Sequence, residues 1–175
     1  MMKPFLLSLF VVLCPVLGQK APDFTLPDIK GDSVSLRDFR GRTMLIDFWV
    51  MWCETCREEV PVIQKIQENY SGKGVAVLGI HLEEKDAGKV NSFVESAGIT
   101  YTVLLDPEEK TADRFAIKGT PSVVIIDTSG AVVKKFRKLD RKTEKEVYRV
   151  LDSLTVPRPA APADQPENIP VKLPD

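Results

Sequence analysis

A continuous apolar run, Met44 to Val50, ends at two cysteines three residues apart, Cys53-Glu54-Thr55-Cys56. The run reads as a buried strand. The residues after it place Val60, Ile63, Ile66 and Tyr70 at helical spacing. The cysteine pair therefore falls on a strand-to-helix junction. Cysteines at i and i+3 on a first helical turn bring their Cα atoms into the range a disulfide spans, so the pair can open and close without moving the backbone. The first sulfur stands at a helix start, where unpaired N–H groups and the helix dipole favour an anion. A thiolate is the nucleophile of thiol–disulfide exchange. The spacing points to redox chemistry at Cys53 and Cys56.

The third cysteine, Cys14, lies in an N-terminal apolar stretch, Pro4 to Leu17, preceded by Lys3. Val16-Leu17-Gly18 before Gln19 fits a small-residue cleavage pattern, so residues 1–18 read as a signal peptide. The stretch is short and proline-broken for a membrane span. An uncleaved anchor is the alternative, and lipid attachment at Cys14 is a third, disfavoured by the large Leu13 before it. Removal would leave only Cys53 and Cys56. A bridge between residues three apart closes almost no loop and adds little stability, so their use is chemical. The 175 residues, 43% hydrophobic with a formal charge of -1, suffice for one domain with a real core. They offer no basic stripe, which argues against a nucleic-acid partner.

The domain spans residues 19–155. Ala21 to Leu26, a turn at Asp28 to Gly31, and Ser33 to Leu36 predict an N-terminal β-hairpin. After the central strand, Thr43 to Val50, and its helix, which carries Pro61 and ends at Ser71 to Gly74, Val75 to His81 predicts a second buried strand. Asp86 to Ala97 predicts a helix stopped by Gly98, and Thr100 to Leu105 a strand. Asp106-Pro107-Glu108-Glu109 reads as a helix start running to about Ile117. Ser122 to Asp127 and Ala131 to Phe136 form an antiparallel hairpin, and a last helix covers about Thr143 to Leu154. Repeated strand–helix–strand order predicts a mixed, mostly parallel sheet flanked by helices. Residues 156–175, with Pro157, Pro159, Pro162, Pro166, Pro170 and Pro174, read as a proline-rich disordered tail.

The order A-P-D-F-T-L from Ala21, D-F-W-V-M-W-C-E-T-C-R-E-E-V-P from Asp47 and G-T-P-S-V-V-I-I-D from Gly119 resembles the thioredoxin fold. More closely it resembles the exported TlpA/ResA-like thiol–disulfide oxidoreductases, with Val75 to Leu105 similar to the insertion that separates them from plain thioredoxins. The resemblance implies an α/β thioredoxin-like fold, with Cys53 attacking and a buried Cys56 resolving. Asp47 would manage the resolving thiol's proton, Thr120-Pro121 would form a cis-proline loop that pairs with substrate, and Trp52 would shield the site. It also implies oxidised protein substrates, apocytochrome c among them, and electrons from a membrane thiol transporter of the DsbD/CcdA kind. The only redox group expected is the Cys53–Cys56 disulfide itself, in a periplasmic setting. Two residues depart from the family pattern: Thr55 where proline is usual, and Asp47 where many TlpA-like proteins have asparagine.

Glu54 adds a negative charge beside Cys53, which opposes thiolate formation and makes the couple a reductant. A carboxylate inside an apolar run, as Asp47 is, is expensive to bury unpaired and is rarely idle. His81, the only histidine, reads as structural, and Glu83, Glu84 and Asp86 as a solvated turn, with tuning of proton access near the site as the alternative. Met51-x-Cys53-x-x-Cys56 also spells a copper-binding pattern. The flanking tryptophans and the Pro121 loop speak against it, and no further ligands stand at zinc spacing. A peroxiredoxin shares the fold but places its reactive cysteine after a Pro/Thr loop.

Overall fold

The computed structural model describes residues 18–155. The signal peptide read over residues 1–18, apart from Gly18, and the proline-rich tail lie outside the described residues. Among those described, no helix is long and apolar enough to cross a membrane.

Two strands open the fold, β1 (Thr25–Pro27) and β2 (Ser33–Ser35), paired antiparallel. The expected first strand is shorter than its sequence pattern. Pro22 has no N–H to offer a ladder, and the residues before it go elsewhere. Val132 N donates to Gln19 O at 2.8 Å and Ala21 N to Gly130 O at 2.9 Å, so the chain start runs along the last strand of the main sheet.

That sheet holds β3 (Thr43–Trp49), β4 (Val75–Leu82), β5 (Thr102–Asp106), β6 (Ser122–Ile126) and β7 (Val132–Phe136), in the order β5-β4-β3-β6-β7. The β3–β4 and β4–β5 pairs are parallel, and β3–β6 and β6–β7 antiparallel. Four strands thus point one way and β6 runs against them. Both sheet edges are met by backbone from elsewhere. Ile29 N donates to Val103 O on β5 while the chain start bonds β7, which leaves few free groups for unwanted pairing.

Every residue of β3, β4 and β6 is buried, as the continuous apolar runs require of strands covered on both faces. One face carries Leu45, Trp49, Val77, Val103 and Ile125 under α1 (Glu54–Tyr70), α2 (Ala87–Ser96) and α4 (Arg141–Leu154). The other carries Ile46, Phe48, Leu78 and Val124 under the hairpin and α3 (Lys110–Arg114). The helix α1 runs unbroken through Pro61, which lies on its solvent side, so the carbonyl left without a donor faces water.

Two helix starts differ from their expected places. The last helix begins at Arg141 because Asp140 accepts from Lys142 N and Thr143 N, both at 2.9 Å. The helix α3 begins at Lys110, not beside Asp106: Asp106 to Glu109 form a turn, and Glu109 has φ 56°. Asp106 still serves the helix. Buried at 2% exposure, its Oδ2 accepts from Thr111 N at 2.8 Å and Ala112 N at 2.9 Å, a cap delivered from five residues upstream. Asp106→Ala would strand both donors in the interior, and we expect a loss of about 2 kcal/mol. Urea unfolding would show it as a lower midpoint at unchanged slope.

Candidate active site

The C-terminal end of β3 delivers the chain to the cysteine pair. Cys53 is the residue that caps α1, with extended backbone (φ -78°, ψ 110°), and its Sγ accepts from Cys56 N at 3.2 Å. The sulfur takes the place a serine or aspartate oxygen usually fills, against a donor the helix start leaves unpaired. Both cysteines are free thiols in this structure; Cys53 is half-buried and Cys56 is 2% exposed. Burial, then contact with Cys53, pushes the Cys56 thiol up to about 12, opposed by hydrogen bonds from the Val50 backbone and the Thr120 side chain. The pair thus divides into one accessible sulfur and one that holds its proton tightly.

Thr120 and Pro121 lead into β6, the strand beside β3, which brings them across from the cysteines. The Thr120–Pro121 peptide is cis. Trp52 is 71% exposed, and its Nε1 donates to Glu83 Oε2 at 2.8 Å. The turn read as solvated thus also anchors the site's most exposed apolar side chain, and Glu83 adopts φ 71°. Glu84 accepts from Asp86 N, and Asp86 caps α2. Glu54 opens α1 and is exposed, so its charge acts on Cys53 through water.

Asp47 lies in the middle of β3, 2% exposed, on the face covered by α1. Burial, then the charge of Glu59, holds its carboxyl well above the usual carboxylate range. Glu59 is a residue the sequence reading missed. It sits one helical turn after Cys56, is 3% exposed, and its Oε1 accepts from Leu139 N at 2.7 Å. Burial raises its carboxyl too, offset by that N–H and by Lys138. Its signal was available in the spacing: Cys56, Glu59, Val60 and Ile63 form one stripe of α1.

His81, at the end of β4, is buried against Trp49, ring centroids 4.6 Å apart and edge-on. Its Nε2 accepts from Met51 N at 3.3 Å, which ties the segment before Cys53 to the sheet. Burial pulls the imidazole down from 6.5 to about 4, against a smaller upward pull from Glu84 and Glu83. A histidine held neutral in this way supports the fold fully above its unfolded value. It loses that support as pH falls from 6.5 toward 4, because the unfolded chain takes up the proton first. His81→Gln can accept the same N–H but cannot ionise. Between pH 7 and pH 4 we expect the wild type to lose about 3 kcal/mol more stability than this variant, read by denaturant unfolding at each pH.

Among the described residues no cluster of three or more His, Cys, Asp or Glu side chains is placed to hold a metal ion. The chemistry the arrangement supports is exchange at sulfur: an accessible thiol at a helix start, a second thiol a turn away, and two buried carboxyls beneath.

Comparison with known proteins gives the same picture. Residues 17–135 match the model of the AhpC/TSA family. The chain is 34% identical over 137 residues to the thioredoxin-like protein YneN of Bacillus subtilis, covering 77% of this chain and 78% of that one. It is 29% identical over 139 residues to the thiol-disulfide oxidoreductase ResA of Bacillus thuringiensis, covering 79% of each. A Chlorobium tepidum crystal structure, assigned as the thiol:disulfide interchange protein DsbE, superposes with a TM-score of 0.72 at 31% identity, over 78% of this chain and 96% of the other. The chain belongs to the AhpC/TSA family of thioredoxin-like proteins, as a thiol–disulfide oxidoreductase of the ResA and DsbE type.

Proposed function

We propose that this protein reduces protein disulfides outside the cytoplasm, cycling Cys53 and Cys56 between dithiol and disulfide. The Cys53 thiolate attacks one sulfur of a substrate disulfide, forming a mixed disulfide and releasing the other substrate sulfur as a thiolate that takes up a proton. Cys56 then gives its proton to Asp47 and attacks Cys53, closing the intramolecular disulfide and expelling the second substrate sulfur as a thiolate, which takes up a proton from Asp47 or from water. Two electrons pass from the cysteine pair to the substrate, and no prosthetic group is needed. The observation that carries this reading is the asymmetry of the pair, with Cys53 half-exposed at the cap of α1 and Cys56 buried behind it. Trp52 and the Thr120–Pro121 loop, on either side of Cys53, would hold an extended substrate segment.

The reducing direction rests on proton affinity. A strong oxidant owes its potential to a stabilised reduced form, and here a thiol raised to about 12 and an acidic neighbour, Glu54, work against thiolate stabilisation. Equilibration with a glutathione or dithiothreitol buffer should place the couple near the roughly -270 mV of thioredoxin; a value near the roughly -120 mV of a strong oxidase would refute the direction. Apocytochrome c is the substrate class proposed, and a membrane thiol transporter of the DsbD/CcdA kind the electron source. Substrates trapped on Cys56→Ala in cells test the first, and the redox state of Cys53 and Cys56 in a transporter-deficient strain the second. The family match also admits a peroxide-reducing reading, and peroxide consumption in the same assay separates the two.

A further inference from the structure

We propose that Tyr101 is a positioning residue for Asp47: its hydroxyl and the Trp49 indole N–H adjoin Gly79 as donors that favour the ionised form of the Asp47 carboxyl, the form that can accept the Cys56 proton, against the burial that opposes it. The inference rests on the reading of Asp47 given above and concerns how that group is kept serviceable in an apolar interior.

Five buried side-chain atoms have no hydrogen-bond partner within the protein among the described residues: Asp47 Oδ1, Trp49 Nε1, Glu59 Oε2, His81 Nδ1 and Tyr101 Oη. Left alone, each would cost free energy on burial. Three of them belong to side chains that adjoin Gly79. Gly79 on β4 is the register partner of Asp47 on β3, so the two side-chain directions are neighbours on the face under α1. Gly79 has no left-handed φ that would demand a glycine; what it supplies is space. A Cβ there would stand 2.9 Å from Trp49 Nε1 and 3.0 Å from Tyr101 Cε2, closer than packed atoms come. The bare backbone of Gly79 therefore admits the indole nitrogen and the edge of the phenol ring close against the strand position paired with Asp47.

The three groups are complementary. An ionised carboxyl only accepts, an indole N–H only donates, and a phenol hydroxyl donates while it stays protonated. Burial and the charge of Asp47 hold the Tyr101 hydroxyl well above its usual range, so it remains a donor at any working pH. Donors to the charged form of a carboxyl favour that form; none of the three atoms bonds another protein group here, so the link runs across one enclosed water. The other groups that face Asp47 do not supply this. From α1 comes Glu59, an added negative charge; β6 presents Val123; His81 packs on Trp49 and accepts from Met51 N; and Lys138 acts on Glu59.

The test follows the resolving step by itself. A mixed disulfide is formed on Cys53 with a small aromatic thiol, and its release by Cys56 is timed from pH 5 to pH 10 in the wild type, Tyr101→Phe, Asp47→Asn and the double variant. Tyr101→Phe keeps the ring and removes the donor. We expect it to shift the rise in rate about one pH unit upward, a slowing of about tenfold at pH 7, and to have no further effect once Asp47 is Asn. A carbon NMR titration of the Asp47 carboxyl in the resting protein should move by the same unit, and it reads the effect without turnover. A wild-type profile in Tyr101→Phe, or the same slowing in both backgrounds, overturns the inference and leaves Asp47 in its role. A wild-type profile in Asp47→Asn overturns both.

Discussion

Cys53→Ser is expected to abolish disulfide exchange, by about a thousandfold or more, whereas Cys56→Ser is expected to stop the same cycle halfway. The two outcomes differ because the two sulfurs differ in place, and place sets their access and their hold on a proton. Cys53 is reachable from solvent and sits where α1 offers its unpaired N–H groups; Cys56 is sealed at 2% exposure. Without Cys53 a substrate disulfide meets no accessible thiol among the described residues. Without Cys56 the first step still runs, but nothing nearby can displace the substrate from Cys53. The Cys56→Ser protein should therefore collect one equivalent of covalently bound substrate, seen as a mass adduct on Cys53 that dithiothreitol removes. Turnover that survives Cys53→Ser, or an adduct that maps to Cys56, would reverse the assigned roles.

Asp47→Asn should make the protein more stable and less active. The carboxyl is buried, its Oδ1 has no partner in the protein, and burial and Glu59 together hold its proton affinity high. The folded state therefore keeps this proton after the unfolded chain has released it at about its ordinary value of 3.8. Folding stability is lost as pH rises from there through the folded value. Asparagine has no such loss. The gain from Asp47→Asn should be small at pH 4 and reach about 2 kcal/mol or more at pH 8, where the wild type must either bury the charge or hold the proton against the solution. The opposite holds for function. With no group to take the Cys56 proton, release of the mixed disulfide at pH 7 should slow by about a hundredfold. Paired urea unfolding curves at the two pH values and single-turnover release rates check both. A variant that is neither stabilised at pH 8 nor slowed would remove Asp47 from the account.

What could be read from the sequence was what depends on neighbours in the chain. The strand from Thr43, the helix after Cys56 and the hairpin from Ser122 follow from apolar spacing, and the observed elements agree with it. The cysteine pair was legible because its meaning lies in a three-residue interval. Asp47 stood out as the one acid in an apolar run.

What escaped depends on residues far apart in the chain. Glu59 sits beside Glu58 in a charged stretch, and although its spacing puts it on the Cys56–Val60–Ile63 stripe, the partner that makes a buried acid tolerable there is not local. Glu59 is buried because Leu139, eighty positions away, donates its N–H to it. The grouping of side chains around Gly79 needs the register of β3 against β4 and the chain entering β5, which no local pattern carries. Asp106 shows the middle case: the capping residue was recognised, but the turn after it displaced the helix it caps by several residues. His81 was read as structural, and its bond to Met51 N makes it a support for the cysteine loop.

The proposed cycle requires Cys53 and Cys56 to form one reversible two-electron couple. Equilibrating the protein across a glutathione redox series, quenching with acid and weighing it reads that couple. A single transition with the slope of a two-electron process, about 30 mV per tenfold change, is expected, with an oxidised form lighter by two hydrogens and free of glutathione. A protein that stays fully reduced across the series, or that ends as a stable glutathione adduct on Cys53 with Cys56 still a thiol, would contradict it.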